Sequence, residues 1–339
     1  MKDLDYITDS PPNAAVPLSE LDGRPLPQDQ VYLRNSFPTP GPNEVTEEIE
    51  VVLPGQPSRT LTPEDLGRLA PVTMNIVLEC AGNGRSFMRP VVTGLAWGLG
   101  GASPIRIGGV RLIDALGAVP EEVVEVVLTG FDRGTVSPEG EVPYQFSVPA
   151  DLVRDGSALL VTHVGGELLG HEHGGPVRFM LPGHYAMKSV KWLTRIEGVT
   201  TPFTGHFVNR YRYFGDHTFE DGSPVAEIQV RSVIARPIDG ERLPAGPVTV
   251  AGSAWTGTGT IVAVELSADH GRTWLDADLG RASGRAAVDW YLELALGSGR
   301  HTVMARARDS EGNVQPLEPR WNRGGYANNL IHRVGFDMA

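Results

Sequence analysis

The chain has 339 residues, 41 acidic against 29 basic, and a net charge of −12. That length exceeds one typical hydrophobic core and predicts two domains. The charge argues against general binding to nucleic acid or anionic membranes, so an anionic ligand would need a local cluster of arginines. No apolar run reaches the roughly 18 residues of a membrane helix, and the start, MKDLDYITDSPPNAAVPL, has no apolar leader segment. The expectation is a cytoplasmic chain, or a periplasmic one if a leader has been removed.

In chain order, residues 1–30, with prolines at 11, 12, 17, 25 and 27, read as an irregular wrap over the first domain. Extended structure starts near Val31, and VYLRNSFPTP sets Arg34 at a proline-limited loop edge, where its charge is either solvated or within reach of an anion. Glu47 to Gly55 is a strand signal. Thr62 to Pro71 reads as a short helix, with Thr62 as N-cap, Pro63 at its first position and Pro71 past its end. VTMNIVLECAGNGRSFM, from Val72 to Met88, is a β-rich run that ends at Cys80 and continues into a Gly-Asn-Gly-Arg-Ser loop. TGLAWGLGGAS places Trp97 among glycines, where it walls a pocket or packs in a core.

Leu112 to Val119 fits a short helix, and Glu121 to Gly134 a strand ending in a loop that carries Asp132. Ser157 to Gly183 reads as strand, glycine-rich turn, irregular loop and strand. Gly183 to Glu197 spaces Lys188, Lys191 and Arg195 around Val190 and Trp192, the pattern of an edge strand or of a phosphate clamp. The texture changes over residues 200–222. From Glu227 onward short β-rich runs alternate with turn signals such as DG, GTG, DHG and GSG, which predicts an antiparallel β-sandwich of about immunoglobulin size. The tail from Arg320 to Ala339 mixes aromatics, amides and arginines, and is expected to dock rather than fray.

Cys80 is the chain's one cysteine. It forms no internal disulfide, which leaves a small buried hydrophobe, a nucleophile or a metal thiolate. Thiol hydrolase chemistry would need a base from His163, His171, His173 or His184, and nothing in their spacing demands one. His171 and His173 alternate as two metal ligands could, without a third ligand nearby. A lone thiolate is also a soft ligand for a redox metal when a cofactor brings the remaining ligands.

LECAGNGRSFM resembles the cysteine-loop motif of the sulfite oxidase family of molybdenum enzymes, whose usual form is close to L-x-C-A-G-N-R-R-S-x-M. PLSELDG and VYLRNSFPTP resemble the family's entry segment, and GLAWGLGGAS, HGGPVRFMLPG and SVKWLTRIE its cofactor-binding core. VTVAGSAWTGTGTIVAVELSADHGRTW and WNRGGYANNLIHRV resemble its dimerisation domain. The blocks follow in family order over nearly the whole chain.

The resemblance implies an α+β protein: a mixed α/β molybdopterin domain over residues 1–222, then an immunoglobulin-like β-sandwich over 223–339 that forms a homodimer. It implies a molybdenum–molybdopterin cofactor with Cys80 as the sole protein thiolate, and oxidation of sulfite to sulfate by oxo transfer. Arg34, Arg85 and Trp97 match positions lining the family's oxyanion pocket, and the planar fork of arginine suits an anion with two oxygens to bind. Asn35, Asp132, His173, Arg178, Lys188, Ser189 and Lys191 fall in segments that hold the pterin and its phosphate. The family's active-site tyrosine follows the VKWL segment, where GHFVNRYRYFG offers Tyr211 and Tyr213, with Tyr213 slightly preferred. A further substrate arginine comes from the second domain, with Arg333 the candidate.

Gly84 stands where the family has the first arginine of RRS, and Ser36 where RNH is common, so the resemblance implies a pocket with less charge and one fewer imidazole. No haem motif or cytochrome-like domain is expected, so electrons would leave to a separate acceptor such as a cytochrome. Together these features suggest a bacterial enzyme rather than a eukaryotic nitrate reductase. Two other readings compete: the same cofactor acting on another oxyanion or as a sulfoxide or nitrate reductase, and a cofactor-free dimeric scaffold or binding protein. A pure scaffold would have no need of Cys80, Arg85, Trp97, Arg178 and Lys191 together.

Overall fold

Runs such as VTMNIVLE and GPVTVAGSAW, rich in β-branched residues, suit a pleated and half-buried surface, and the chain folds mainly as strands. The computed structural model describes residues 4–215, 218–281 and 284–339. Its α-helices there are short turns of four or five residues. No helix among these residues is long and apolar enough to cross a membrane.

The first 30 residues depart from the irregular wrap that their prolines suggest. Asp5–Asp9 pairs with Pro12–Ala15, which in turn pairs with Leu33–Arg34. Pro12 is tolerated because it opens its strand. The buried Asn13 ties the turn, with Nδ2 donating to Thr8 Oγ1 at 2.8 Å and to the Pro11 carbonyl at 2.9 Å.

A second sheet sets Val72–Glu79 against Ala102–Arg111, followed by Leu159–Val164, which also pairs with Arg178–Met180. A third has the order Arg59–Leu61, Ile49–Val52, Leu193–Val199, Glu125–Val136, Gly140–Pro149. Leu193–Val199 is therefore central, parallel to Ile49–Val52 and antiparallel to Glu125–Val136, so the edge-strand reading of the basic segment does not hold. Lys188 and Lys191 precede this strand, and Asp132 lies within Glu125–Val136 rather than in a loop. The helix Pro63–Leu66 is capped by Thr62, whose hydroxyl accepts from the Asp65 N–H while Asp65 returns a bond to the Thr62 N–H.

From Val230 a second core begins. One sheet holds Arg231–Arg236, Gly246–Trp255, Val288–Leu296 and Asp278–Leu279. The other holds Arg242–Leu243, His332–Met338, Gly299–Asp309, Ile261–Ser267 and Leu275–Asp276. Val250, Val264, Trp290, Val303 and Phe336 form part of the core of this β-sandwich. The C-terminal tail is docked, with His332–Met338 lying between two strands of its sheet.

The two cores meet at Glu79, the residue before Cys80. Its carboxylate is fully buried and lies 2.9 Å from Arg231 Nε, itself only 1% exposed. Trp255 Nε1 donates to Glu79 Oε2 at 2.7 Å, and Asn83 Nδ2 to Oε1 at 3.0 Å. Removing one partner of such a buried pair strands the other charge, so Arg231→Ala is expected to lower unfolding stability by about 3–5 kcal/mol. Glu79→Gln combined with Arg231→Met should recover much of the loss. Urea midpoints measure both, and a loss below about 1 kcal/mol for the single variant would contradict this arrangement.

Candidate active site

The strand Val72–Glu79 delivers Cys80 to the wall of a cavity of about 610 Å³, measured with its open mouth. The Cys80 N–H donates to the Gly101 carbonyl at 2.8 Å, and its carbonyl accepts from Asn83 N–H at 2.9 Å, so the loop turns immediately after the thiol. Gly84 has φ +83°, and a Cβ there would stand 3.1 Å from the Asn328 carbonyl. That close approach from the second core favours glycine.

Around the thiol the cavity is lined by Tyr32, Arg34, Asn35, Tyr144, Arg178, Lys191 and Tyr211, with Asp132 its one carboxylate. Three cations thus face one anion. Among the described residues Arg34, Arg178 and Lys191 form no salt bridge and are held by neutral oxygens. Arg178 donates to the Ser189 carbonyl at 3.3 Å and to the His173 carbonyl at 3.2 Å. Lys191 Nζ donates to Asn35 Oδ1 at 2.6 Å and to the Glu172 carbonyl at 2.7 Å. Arg34 bonds the Asn35 carbonyl and reaches Asn13 Oδ1, so the N-terminal sheet fixes both Arg34 and Asn35. Trp192, the residue after Lys191, has φ +47° and is anchored by its indole N–H on the His171 carbonyl at 2.8 Å. Strain of this kind persists where the surroundings over-determine a functional side chain.

Burial works against these charges. It pulls Arg178 down to about 10, and it takes Lys191 well below its ordinary value, with Arg178 adding like-charge repulsion. Burial raises the Asp132 carboxyl to about 6, against the pull of Lys191. Asp132 Oδ1 and His173 Nε2 have no hydrogen-bond partner among the described residues. Buried cations satisfied only by carbonyls and amides suit an anionic ligand, and the unpaired carboxylate oxygen beside them calls for a hydrogen-bond donor on that ligand.

Residues 38–207 match the family model of the oxidoreductase molybdopterin binding domain, and residues 223–338 match that of the Mo-co oxidoreductase dimerisation domain. Human mitochondrial sulfite oxidase is 32% identical over 89% of this chain and 60% of its own length. The Arabidopsis thaliana sulfite oxidase is 30% identical over 96% of this chain and 90% of its own.

The chain belongs to the sulfite oxidase family.

It spans about 60% of the length of the human relative. The fold also matches the sulfane dehydrogenase SoxCD of Paracoccus pantotrophus, with a TM-score of 0.85 at 23% identity over 98% of this chain and 87% of that one. A molybdopterin cofactor fits the donor set: a soft thiol at a strand end, with Asn35, Arg178, Ser189 and Lys191 lining the same cavity. Among the described residues no histidine lines it. His171 is bonded to the Pro40 carbonyl, and no cluster of three metal-ligating side chains occurs among the described residues.

Other residues expected at the site lie elsewhere. Arg85 does not line the cavity; its Nε donates to the Gly324 carbonyl and its Nη1 to the Leu95 carbonyl, both at 3.0 Å. Trp97 is fully buried and packs edge-on to Tyr32 at 6.0 Å, one layer behind the wall. Tyr211 lines the cavity, while Tyr213 stacks on Phe219 at 4.1 Å. Arg333 lies on the strand His332–Met338 of the second domain, bonded to the Leu317 carbonyl and 3.6 Å from Glu318. Lys188 is buried, but Glu227 and Glu125 are the groups it faces. His173 lines an adjacent cleft with Gln28 and Glu172. Tyr32 falls within VYLRNSFPTP, beside Arg34, and Tyr144 lies in a segment without a motif. Glu79 carried a signal that went unused, a carboxylate at the end of an apolar run.

The raised Asp132 carboxyl makes a directional test. Its folded-state value of about 6 exceeds the unfolded 3.8, so its contribution to stability is complete below pH 4 and is lost as pH rises through 6. In cofactor-free protein, Asp132→Asn should gain on the wild type by up to about 3 kcal/mol between pH 4 and pH 7.5, read from urea midpoints. A pH-independent difference would contradict the assignment.

Proposed function

We propose that the protein oxidises sulfite to sulfate at this cavity and passes the electrons to a separate acceptor, working as a homodimer joined through its second domain. The observation that carries the reading is the thiol of Cys80 facing a cavity with three cations and one carboxylate, in a chain whose net charge is −12. In a partly dry cleft these near charges outweigh distant screened ones, so a small oxyanion is drawn in despite the acidic exterior. The names of the human and plant relatives support sulfite as that anion.

When bound, the molybdenum cofactor supplies two-electron redox chemistry with oxygen-atom transfer. The protein's part is to hold and orient. Cys80 provides the thiolate for the metal, and Arg178, Lys191, Asn35 and Ser189 hold the pterin. Arg34 pairs with the substrate oxyanion, whose charge its guanidinium can match without changing protonation. Tyr211 presents a hydroxyl to the same space, while Tyr32, Tyr144 and Leu78 keep bulk water from the reacting atoms.

A second reading keeps the cofactor and changes the oxyanion. It draws on Arg85, which is committed to backbone carbonyls, and on a similarity to the NADPH nitrate reductase of Phytophthora infestans, 28% identical over 78% of this chain. Assays with sulfite and ferricyanide, set beside nitrate reduction, separate the two.

Protein expressed in a cofactor-competent host should carry about one molybdenum per chain and reduce ferricyanide with sulfite. Cys80→Ser should lose at least about a hundredfold in activity while keeping its fold. Stoichiometric zinc, or a fully active Cys80→Ser, would refute the reading.

The match of residues 223–338 to a dimerisation domain supports an immunoglobulin-like module that pairs two chains. Light scattering at micromolar concentration should give twice the 36.5 kDa chain mass, and a monomer would count against the pairing.

A further inference from the structure

Tyr211 belongs to the cavity wall, and the ring it packs against comes from the second domain. Tyr326 lies 5.1 Å from Tyr211, centroid to centroid, at an interplanar angle of 44°. The same ring carries the Arg85 guanidinium, whose central carbon stands 5.3 Å from the Tyr326 centroid. Tyr326 is 6% exposed, and Arg210 also faces its hydroxyl. It thus touches one residue that lines the cavity and one cation that does not.

The Tyr326 loop and Arg85 are both fixed. The Tyr326 N–H donates to Asn322 Oδ1 at 2.9 Å, and its carbonyl accepts from Asn322 Nδ2 at 2.8 Å. The following residue, Ala327, has φ +53° and donates its N–H to the Ala81 carbonyl at 2.8 Å, one residue past the thiol. The loop's position therefore rests on backbone and amide bonds rather than on the ring. Arg85 is wedged as tightly: a Cβ at Gly82 would come within 2.7 Å of its guanidinium, and one at Gly94 within 3.0 Å.

We propose that Tyr326 is a specificity-determining residue, whose ring backs Tyr211 and limits the size of anion the cavity accepts. The proposal rests on the cavity being the anion-binding site. Packed walls relax only partly when a side chain is cut away, so loss of this ring leaves space behind Tyr211. The wild-type cavity accordingly suits a compact oxyanion, and bulkier sulfonates are turned away.

Calorimetric titration of the cofactor-loaded protein with sulfate and with benzenesulfonate tests this without turnover. Tyr326→Ala should tighten benzenesulfonate by roughly tenfold or more, and shift sulfate by less than about threefold, the scale on which pocket size discriminates. Tyr326→Phe keeps the ring and should keep the wild-type ratio. If Tyr326→Ala does not fold, Tyr326→Leu is read in the same way. An unchanged ratio of the two affinities, a Tyr326→Phe that behaves like Tyr326→Ala, or no anion binding at all would overturn the proposal. A shifted ratio in a protein that leaves sulfite unoxidised would uphold the role of Tyr326 and remove the sulfite reading. Sulfite oxidation with an unshifted ratio would do the reverse.

Discussion

The Glu79 carboxylate is the contact on which the arrangement of the molecule depends. It ends the strand that delivers Cys80, and it has no exposure to water. A carboxylate in that position is tolerable only if its oxygens are satisfied. Asn83 from the following loop, and Arg231 and Trp255 from strands of the second domain, meet that demand. The cost of burying this charge is thereby turned into a rule about relative position, since two of its three partners come from the second domain. Asn328 and Ala327 add bonds from the same side to Gly84 and Ala81. The cysteine loop is therefore clamped between two cores instead of projecting from one.

The cavity follows the opposite rule. Arg34, Arg178 and Lys191 have neutral partners, each a carbonyl or an amide. Neutral oxygens satisfy the donors without cancelling their charge, so the positive potential remains available to a ligand. The difference between Glu79, neutralised and structural, and the three cavity cations, left uncompensated, separates what holds the site from what works in it.

How much of this could be read from the sequence depends on the range of the interactions concerned. The strand ending at Cys80, the capped helix after Thr62 and the run of strands from Glu227 are set by local pattern, and they were legible as such. The family motif singled out Arg34, Asn35, Arg178, Ser189 and Lys191, all of which line the cavity. Arg85 and Trp97 were placed by the same motif but stand behind the wall, because their side-chain directions depend on contacts with Gly324, Leu95 and Tyr32 that no local spacing encodes. Of the two tyrosines that local spacing could not separate, Tyr211 lines the cavity and Tyr213 stacks on Phe219. The N-terminal prolines read as irregular because the pairing of Pro12–Ala15 with Leu33–Arg34 is not local.

The bond from Asn328 to the Gly84 carbonyl also has a meaning in time. It joins residues 244 apart, and contacts of such separation form late because a long loop must close first. At ribosomal rates of about 5–20 residues per second, the cysteine loop is made roughly ten to fifty seconds before the segment that covers it. During that interval the loop that carries Cys80 lacks its outer clamp, and the final docking of the C-terminal segment both completes the fold and fixes that loop.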